Sequence, residues 1–303
     1  MNMFEKPPET TVERKERPPE KLDVLLREIA LRENDAIAST FGVERFLDDS
    51  CAIRTECFGS EGGKIYDDAS IREDEHYVDT KEREWAGWWN ETVRKEVYEK
   101  NGIDTEEDAV KDWKERRERH ASVQFEKVVT VILHKMLGED FLVLHASAYD
   151  DYKNGIDNLI VNKATGDVVC AFDELNYSER DTERQAKKIA RVKERAARGG
   201  SQVKYGASVE KGKLVMERIQ NVPLFFLTLP ESSLRDIMKG MDYSPDSASP
   251  AERKAFEGLM KCLKDQIGML EGEKVHPEVE KRIKRFEETL KAIDARNDLK
   301  AAA

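Results

Sequence analysis

Four acidic residues in the middle of the chain have the types and spacing of a site for a hard metal ion. Asp157 begins one predicted strand, and Asp173 and Glu174 end the next. The separation of 16 positions between Asp157 and Asp173 suits neighbouring strands of a hairpin, so their carboxylates are expected to meet. Glu126 lies on the apolar stripe of a predicted helix, where an ionised carboxylate is costly unless it is paired or bound to metal. Oxygen ligands of this kind suit Mg²⁺ or Mn²⁺.

Each acid also has a simpler interpretation when it is taken alone. Asp157 could cap the turn before its strand, and Asp173 and Glu174 could form a solvated strand end. A site is favoured because the acids occupy corresponding points of neighbouring elements. The histidines show no metal-ligand spacing and the four cysteines include no CxxC pair, so neither a zinc site nor a dense disulfide framework is expected.

The elements that must position these acids follow from hydrophobic periodicity and turn signals. A helical stretch opens at Thr105 and ends at Leu137, with a break near residues 115–120. After it the pattern predicts strands at 141–148, 156–162 and 168–175, a helix at 178–198, a hairpin of strands at 202–209 and 213–220, and a buried strand at 223–229. Helix, three strands, helix and strand in this order predict an α/β core with a mixed (α+β) sheet.

This stretch resembles the PD-(D/E)XK nuclease superfamily, which includes restriction endonucleases and Holliday-junction resolvases. Glu126 matches the helix acid of that family, Asp157 in GIDNLIV the first strand acid, and Asp173 or Glu174 in VVCAFDELN the second. The resemblance covers residues 110–229 and implies a restriction-endonuclease-like core. It implies metal-dependent hydrolysis of phosphodiester bonds in DNA or RNA, with Mg²⁺ or Mn²⁺ as cofactor. The metal ligands that it implies are Glu126, Asp157, Asp173 and Glu174.

The sequence departs from the family pattern at two points. No proline precedes Asp157, and the motif lysine is absent, because Leu175 stands two positions after Asp173. In some branches of the superfamily this lysine lies on the following helix. Lys187 and Lys188 lie there, and Lys188 is preferred as the catalytic lysine because it borders the face that is suited to pack on the sheet.

Basic side chains recur along this predicted helix. Spacings of 4, 3, 4 and 3 place five of them in one stripe, Arg184, Lys188, Arg191, Arg195 and Arg198. The segment 180–218 holds 12 Lys and Arg residues against 5 Asp and Glu, although the whole chain carries a net charge of −11. We expect the stripe to bind backbone phosphates by charge, without reading base sequence. The alternative is a solvated helix face.

The flanking parts of the chain are predicted to be helical additions to this core. Residues 1–19 read as a disordered arm, 20–104 as a mainly helical acidic part, 105–243 as the core, and 249–303 as a C-terminal helical hairpin. The apolar stripes of the hairpin are expected to pack on the core or on a second copy of the chain, which makes a homo-oligomer one expectation.

A helix expected from about Thr80 to Lys100 carries an aromatic stripe. We interpret the stripe as a core face rather than as a base-stacking surface. Its members are Trp85, Trp88, Trp89 and Val93.

Composition excludes several other classes of protein. No apolar run approaches the length of a membrane span, and no secretory signal or Gly-rich phosphate loop is visible, so a cytoplasmic protein is expected. The leading hypothesis is a metal-dependent nuclease. The alternative is a non-catalytic binding or assembly protein on a degenerate nuclease fold.

Overall fold

The computed structural model describes residues 20–59, 65–177 and 182–302. Its helices are α1 (Lys21–Phe41), α2 (Asp68–Ala86), α3 (Glu91–Val93), α4 (Glu106–Glu118), α5 (Ala121–Leu137), α6 (Thr182–Arg198), α7 (Glu231–Gly240), α8 (Pro250–Gly268) and α9 (Pro277–Ala302). Its strands are β1 (Phe141–His145), β2 (Asn158–Asn162), β3 (Val168–Tyr177), β4 (Ser201–Glu210), β5 (Lys213–Val222) and β6 (Leu224–Pro230). The arm expected at 1–19 lies outside the described residues.

Four strands form a mixed sheet in the order β1-β2-β3-β6, and β4 and β5 form a separate two-stranded sheet. The β1–β2 and β2–β3 pairs are antiparallel, whereas β6 runs parallel to β3. A parallel neighbour requires a crossover connection, and here α6 and the β4–β5 hairpin occupy that crossover. The expected mixed α/β architecture is therefore confirmed at this level.

Both faces of the four-stranded sheet are covered. Val143 and Phe172 belong to the core that packs against α5, α8 and α9. Leu144 and Ala171 belong to a second core, which is shared with the β4–β5 hairpin. Strands buried on two faces need apolar side chains at nearly every position. An acid at the end of such a strand is therefore costly to bury unless its charge is compensated.

The long helix predicted from about Thr80 to Lys100 is wrong. The observed helix α2 begins twelve positions earlier, where the side chain of Asp67 accepts a hydrogen bond from the Ser70 N–H (2.7 Å), and it ends at Gly87, whose φ of 72° is left-handed. The chain then continues as α3, a π-helical turn (Arg94–Tyr98) and a 3-10 turn (Glu99–Asn101). The aromatic stripe is broken as a result.

The interpretation of that stripe as a core face is also wrong for two of its members. Trp85 is 46% exposed and Trp89 is 73% exposed. Trp88 is partly buried and packs against Tyr98 with 5.8 Å between ring centroids.

The C-terminal helices pack on the sheet of the same chain. Leu263 of α8 is fully buried and Phe286 of α9 is 2% exposed, both in the core that contains Phe172. The apolar face that suggested contact with a second copy is thus covered within the chain. The structure gives no support to an oligomer formed through this hairpin.

A buried ion pair connects α5 to α8. The Glu252 carboxylate completes a capping box with Ser249 and accepts a hydrogen bond from the Lys135 ammonium at 2.6 Å. The side chains of Lys135 and Glu252 are 1% and 0% exposed. The second carboxylate oxygen accepts from the backbone N–H groups of Ser249 (2.7 Å) and Asp242 (3.1 Å). All charge on this acid is therefore compensated, which is the condition for burying it.

Removing the cation should uncover a buried charge. We expect Lys135→Met to lower the free energy of unfolding by about 3–5 kcal/mol, because the Glu252 carboxylate remains buried without its partner. Urea denaturation at neutral pH measures the loss. The matched control Lys284→Met, which breaks the exposed pair with Glu280, should leave the free energy of unfolding nearly unchanged. Equal losses in the two variants would contradict this role of burial.

Candidate active site

Asp157 and Asp173 lie side by side where β2 begins and β3 approaches its end. The Asp157 N–H donates to the carbonyl of Phe172 (2.8 Å), and Asn158 is the register partner of Phe172. Because side chains alternate along strands, Asp157 and Asp173 share one face of the sheet and Glu174 points to the other. The Oδ2 atom of Asp157 accepts a hydrogen bond from the Glu174 N–H at 2.5 Å, which fixes the position of the carboxylate.

Glu174 is buried on the opposite face, beneath α5. Its Oε1 atom accepts a hydrogen bond from Nδ2 of Asn158 at 2.9 Å, and Asn158 also contacts the hydroxyl of Thr130 at 3.1 Å. Its Oε2 atom is buried and has no hydrogen-bond partner among the described residues. Burial, followed by the charge of Asp157, raises the pKa of Glu174 well above its ordinary value and favours its protonated form.

Glu126 approaches the same acids from α5, on the stripe where the sequence places it. Burial raises the pKa of Glu126 to about 9, and the charges of Asp157 and Asp151 add to the effect. The guanidinium of Arg117 opposes it. The group is therefore protonated at neutral pH, where an ordinary glutamate is ionised.

Lys188 of α6 reaches Asp173 across the edge of the sheet. Its ammonium lies 2.8 Å from Oδ1 and 2.6 Å from Oδ2, and it sits 4.4 Å from the ring centroid of Phe226 on β6. Burial and the charge of Asp157 raise the pKa of Asp173, while Lys188 and Arg191 oppose that rise. The lysine that the sequence points to is thus in contact with one of the predicted acids.

A further acid, Asp151, lies on a π-helical turn (Asp150–Asn154) between β1 and β2 and was not predicted from the sequence. Burial, followed by the charge of Asp157, raises the pKa of Asp151 to about 7, and Arg117, whose Nη2 lies 3.5 Å from Oδ2, opposes the rise. Arg117 also donates to the hydroxyl of Tyr152. No periodic pattern marks these residues, because they belong to a single irregular turn and to the C-terminal end of α4.

Asp157 is the common neighbour of this acidic cluster. After burial, its charge is the largest cause of the raised pKa of each other member. The acidic cluster consists of Glu126, Asp151, Asp157, Asp173 and Glu174. Two of its members, Glu126 and Asp151, line a cleft of about 580 Å³ together with Arg117 and Tyr152. The acids are thus coupled through the charge of Asp157, while Glu174 lies on the other face of the sheet.

The members of the basic stripe on α6 differ in their exposure and in their partners. Arg191 is exposed and forms no ion pair within the described part of the chain, whereas Arg195 is half-buried and contacts the Ser201 hydroxyl at 3.2 Å. Arg198 is exposed and pairs with Glu194 at 2.9 Å. The side chain of Arg184 lies outside the described residues.

The donors of the acidic cluster fit a hard divalent cation in their chemistry. They offer only carboxylate oxygens, burial and the charge of Asp157 favour the protonated forms of Glu126 and Asp151, and Oε2 of Glu174 is buried with no partner in the described residues. A cation would replace those protons. The described residues nevertheless contain no three His, Cys, Asp or Glu side chains already arranged to hold a metal ion. At Asp173 such a set would have to accommodate the Lys188 ammonium, which contacts both carboxylate oxygens.

Comparisons with protein-family models, with curated proteins and with solved structures find no match to this chain. Within the described ranges, no helix has the length and apolar character needed to cross a membrane. What can be said of function therefore rests on the site itself.

The raised pKa of Glu126 links stability to pH. Its folded pKa of about 9 exceeds the ordinary 4.5, so between these values the folded chain holds a proton that the unfolded chain has lost. Stability should fall as pH rises through this window, by up to about 1.4 kcal/mol per pH unit. Glu126→Gln should flatten this slope and raise the melting temperature more at pH 8 than at pH 5.

Thermal melts from pH 5 to pH 9 test this expectation. Glu257→Gln, on the exposed side of α8, is the matched control and should leave the slope unchanged. A wild-type slope that persists in Glu126→Gln would contradict the assignment, as would an equal change in the control.

Proposed function

We propose that this chain hydrolyses phosphodiester bonds of nucleic acid with the help of a divalent metal ion. One observation carries the proposal: Asp157 and Asp173 lie together on adjacent strands, and Lys188 brings an ammonium group to Asp173. Two neighbouring carboxylates with a nearby lysine are the combination that the resemblance to PD-(D/E)XK nucleases implies. Here the lysine comes from the helix after the second strand rather than from the strand.

The order of elements supports the same proposal. Helix α5, strands β1, β2 and β3, helix α6 and strand β6 follow one another, with β6 parallel to β3. The β4–β5 hairpin is then an insertion between α6 and β6. We infer a restriction-endonuclease-like core from this order, because it agrees with the helix, three strands, helix and strand expected for that fold.

Of the four oxygen ligands that the resemblance implies, Asp157 and Asp173 share one face of the sheet and would hold Mg²⁺ or Mn²⁺ there, with Glu126 approaching from α5. Glu174 points to the other face and would not share that ion with them. When bound there, the ion would polarise a phosphodiester oxygen and lower the pKa of a coordinated water. Asp151 is the acid that would give up or take a proton in the cleft, since its pKa lies at about 7.

Lys188 and the arginines of α6 would contact different phosphates of the substrate. The Lys188 ammonium lies against Asp173, where it would stabilise negative charge that develops on the reacting phosphate. Arg191 is exposed one turn further along the helix, and its charge already influences Asp173. Backbone phosphates that flank the reacting one would bind there by charge, without base specificity.

A second candidate function is binding without catalysis on the same fold. Two observations favour it. Leu175 occupies the position of the motif lysine, and Lys188 contacts both oxygens of Asp173, so a metal ion there would share these oxygens with an ammonium group. In that case the acidic cluster would have no catalytic role, and binding of nucleic acid would not require a divalent ion.

A cleavage assay separates the two functions. Wild-type protein with millimolar Mg²⁺ or Mn²⁺ should cut plasmid or single-stranded nucleic acid, and chelation should abolish cutting. Asp157→Asn and Asp173→Asn should each lower the single-turnover rate by about a hundredfold or more, and Lys188→Met by about tenfold to a hundredfold, since it acts through charge alone.

Glu257→Gln provides the matched control, because it removes an exposed carboxylate of α8 that does not belong to the acidic cluster. Cleavage that survives in Asp157→Asn would assign the activity to another site or a contaminant. Metal-independent binding with no cleavage of any substrate would leave the non-catalytic function as the answer.

The arginines of α6 should contribute to affinity rather than to rate. Replacing Arg191 and Arg195 together with Ala should weaken binding to all base sequences alike and reduce the slope of log K against log salt by about two. Fluorescence anisotropy across a salt series measures both quantities. Arg253→Ala, an exposed arginine on α8, is the control and should change neither. An unchanged slope in the double variant would return the stripe to a solvated helix face.

A further inference from the structure

An exposed tryptophan stands beside the cleft that opens onto the acidic cluster. Trp85 lies at the C-terminal end of α2 and is 46% exposed. Its ring centroid is 4.7 Å from that of Tyr152, which lines the cleft together with Glu126 and Asp151. The aromatic surface is therefore continuous with the proposed active site.

The rings at this place are held firmly by their neighbours. The guanidinium of Arg117 lies 5.8 Å from the Trp85 ring, 5.6 Å from Trp113 and 5.0 Å from Tyr152. The Tyr152 hydroxyl donates to Glu82 on α2 at 3.2 Å. An aromatic side chain that is fixed before binding loses little conformational entropy when a ring stacks on it.

The surrounding charge restricts what kind of ligand this surface takes. Acids occupy the same end of α2, where Asp79 and Glu84 are paired with Arg83 and Lys81, and Glu82 is paired with Lys114. The Arg117 guanidinium beside the Trp85 ring faces Asp151 at 3.5 Å, so each of these cations of the described residues lies against an acid rather than standing open to a phosphate. An uncharged planar ring, by contrast, gains from stacking on an indole whatever its sequence identity.

The cleft has the size of a site for one nucleotide rather than for a length of double helix. A volume of about 580 Å³ is in the range of sites for single small molecules. A nucleotide fits such a space, but its base reaches a protein ring only when it is unstacked from its neighbours.

We propose that Trp85 stacks an unpaired nucleobase next to the phosphate at the acidic cluster, so that the substrate class is single-stranded or frayed nucleic acid. This inference rests on the proposed function and specifies its substrate. Phosphates contact the Arg191 side of the cluster, and the neighbouring base contacts Trp85. These two contacts give a role to the acidic aromatic surface at Trp85 and to the basic helix α6.

The test is equilibrium binding in an Asp157→Asn background, which prevents cleavage during the measurement. The probes are a fluorescein-labelled oligothymidylate, the same length of abasic strand, and a blunt duplex. Adding Trp85→Ala should weaken oligothymidylate binding by about tenfold, within the range measured for single base–aromatic contacts. It should leave the abasic strand and the duplex unaffected, and Trp85→Phe should restore most of the affinity.

Trp89→Ala is the matched control, since Trp89 is 73% exposed on the same part of the chain yet its ring has no aromatic partner among the described residues. Unchanged oligothymidylate affinity in Trp85→Ala, or an equal loss in Trp89→Ala or with the abasic strand, would overturn this inference alone. If the background protein binds none of the three probes, the proposed function fails and this inference fails with it.

Discussion

Burial of several carboxyl groups beside one another is the constraint on which the centre of this molecule depends. Asp157 is fixed by backbone hydrogen bonds to Phe172 and Glu174, so it cannot move away from Asp173 without breaking the pairing of β2 and β3. Burial, and after it the charge of Asp157, raises the pKa of each of the other acids. Both effects disfavour the ionised forms of these carboxyl groups.

The surrounding elements supply partial compensation from two directions. Helix α6 brings Lys188 to Asp173, and α4 brings Arg117 to Asp151. Each cation meets one acid at the border of the cluster, while Glu126 in the centre stays protonated. This arrangement differs from the Lys135–Glu252 pair, where every charge is satisfied and only stability results. Incomplete compensation at the acidic cluster leaves a driving force for binding a cation.

Much of this arrangement follows from the sequence because its signals are periodic or tied to a particular cap. Short apolar runs bounded by turn signals place β1, β2 and β3, and the capping box at Ser249 places α8, close to their observed positions. The helical period also placed Lys188 near the sheet. Asp151 was missed because a π-helical turn has no repeating pattern, and Trp85 was misassigned because Gly87 ends α2 inside what looked like one aromatic stripe. Long-range contacts of single turns depend on tertiary packing, which local patterns do not encode.

The proposed function depends on whether the acidic cluster binds a divalent cation. The most direct measurement is anomalous X-ray scattering from crystals of the full chain soaked in Mn²⁺. We expect an anomalous peak within bonding distance of carboxylate oxygens of Asp157 and Asp173. The peak should be absent from crystals of Asp157→Asn. Ordered side chains at the cluster with no anomalous peak in Mn²⁺-soaked wild-type crystals, or a peak only elsewhere on the surface, would contradict the proposed function.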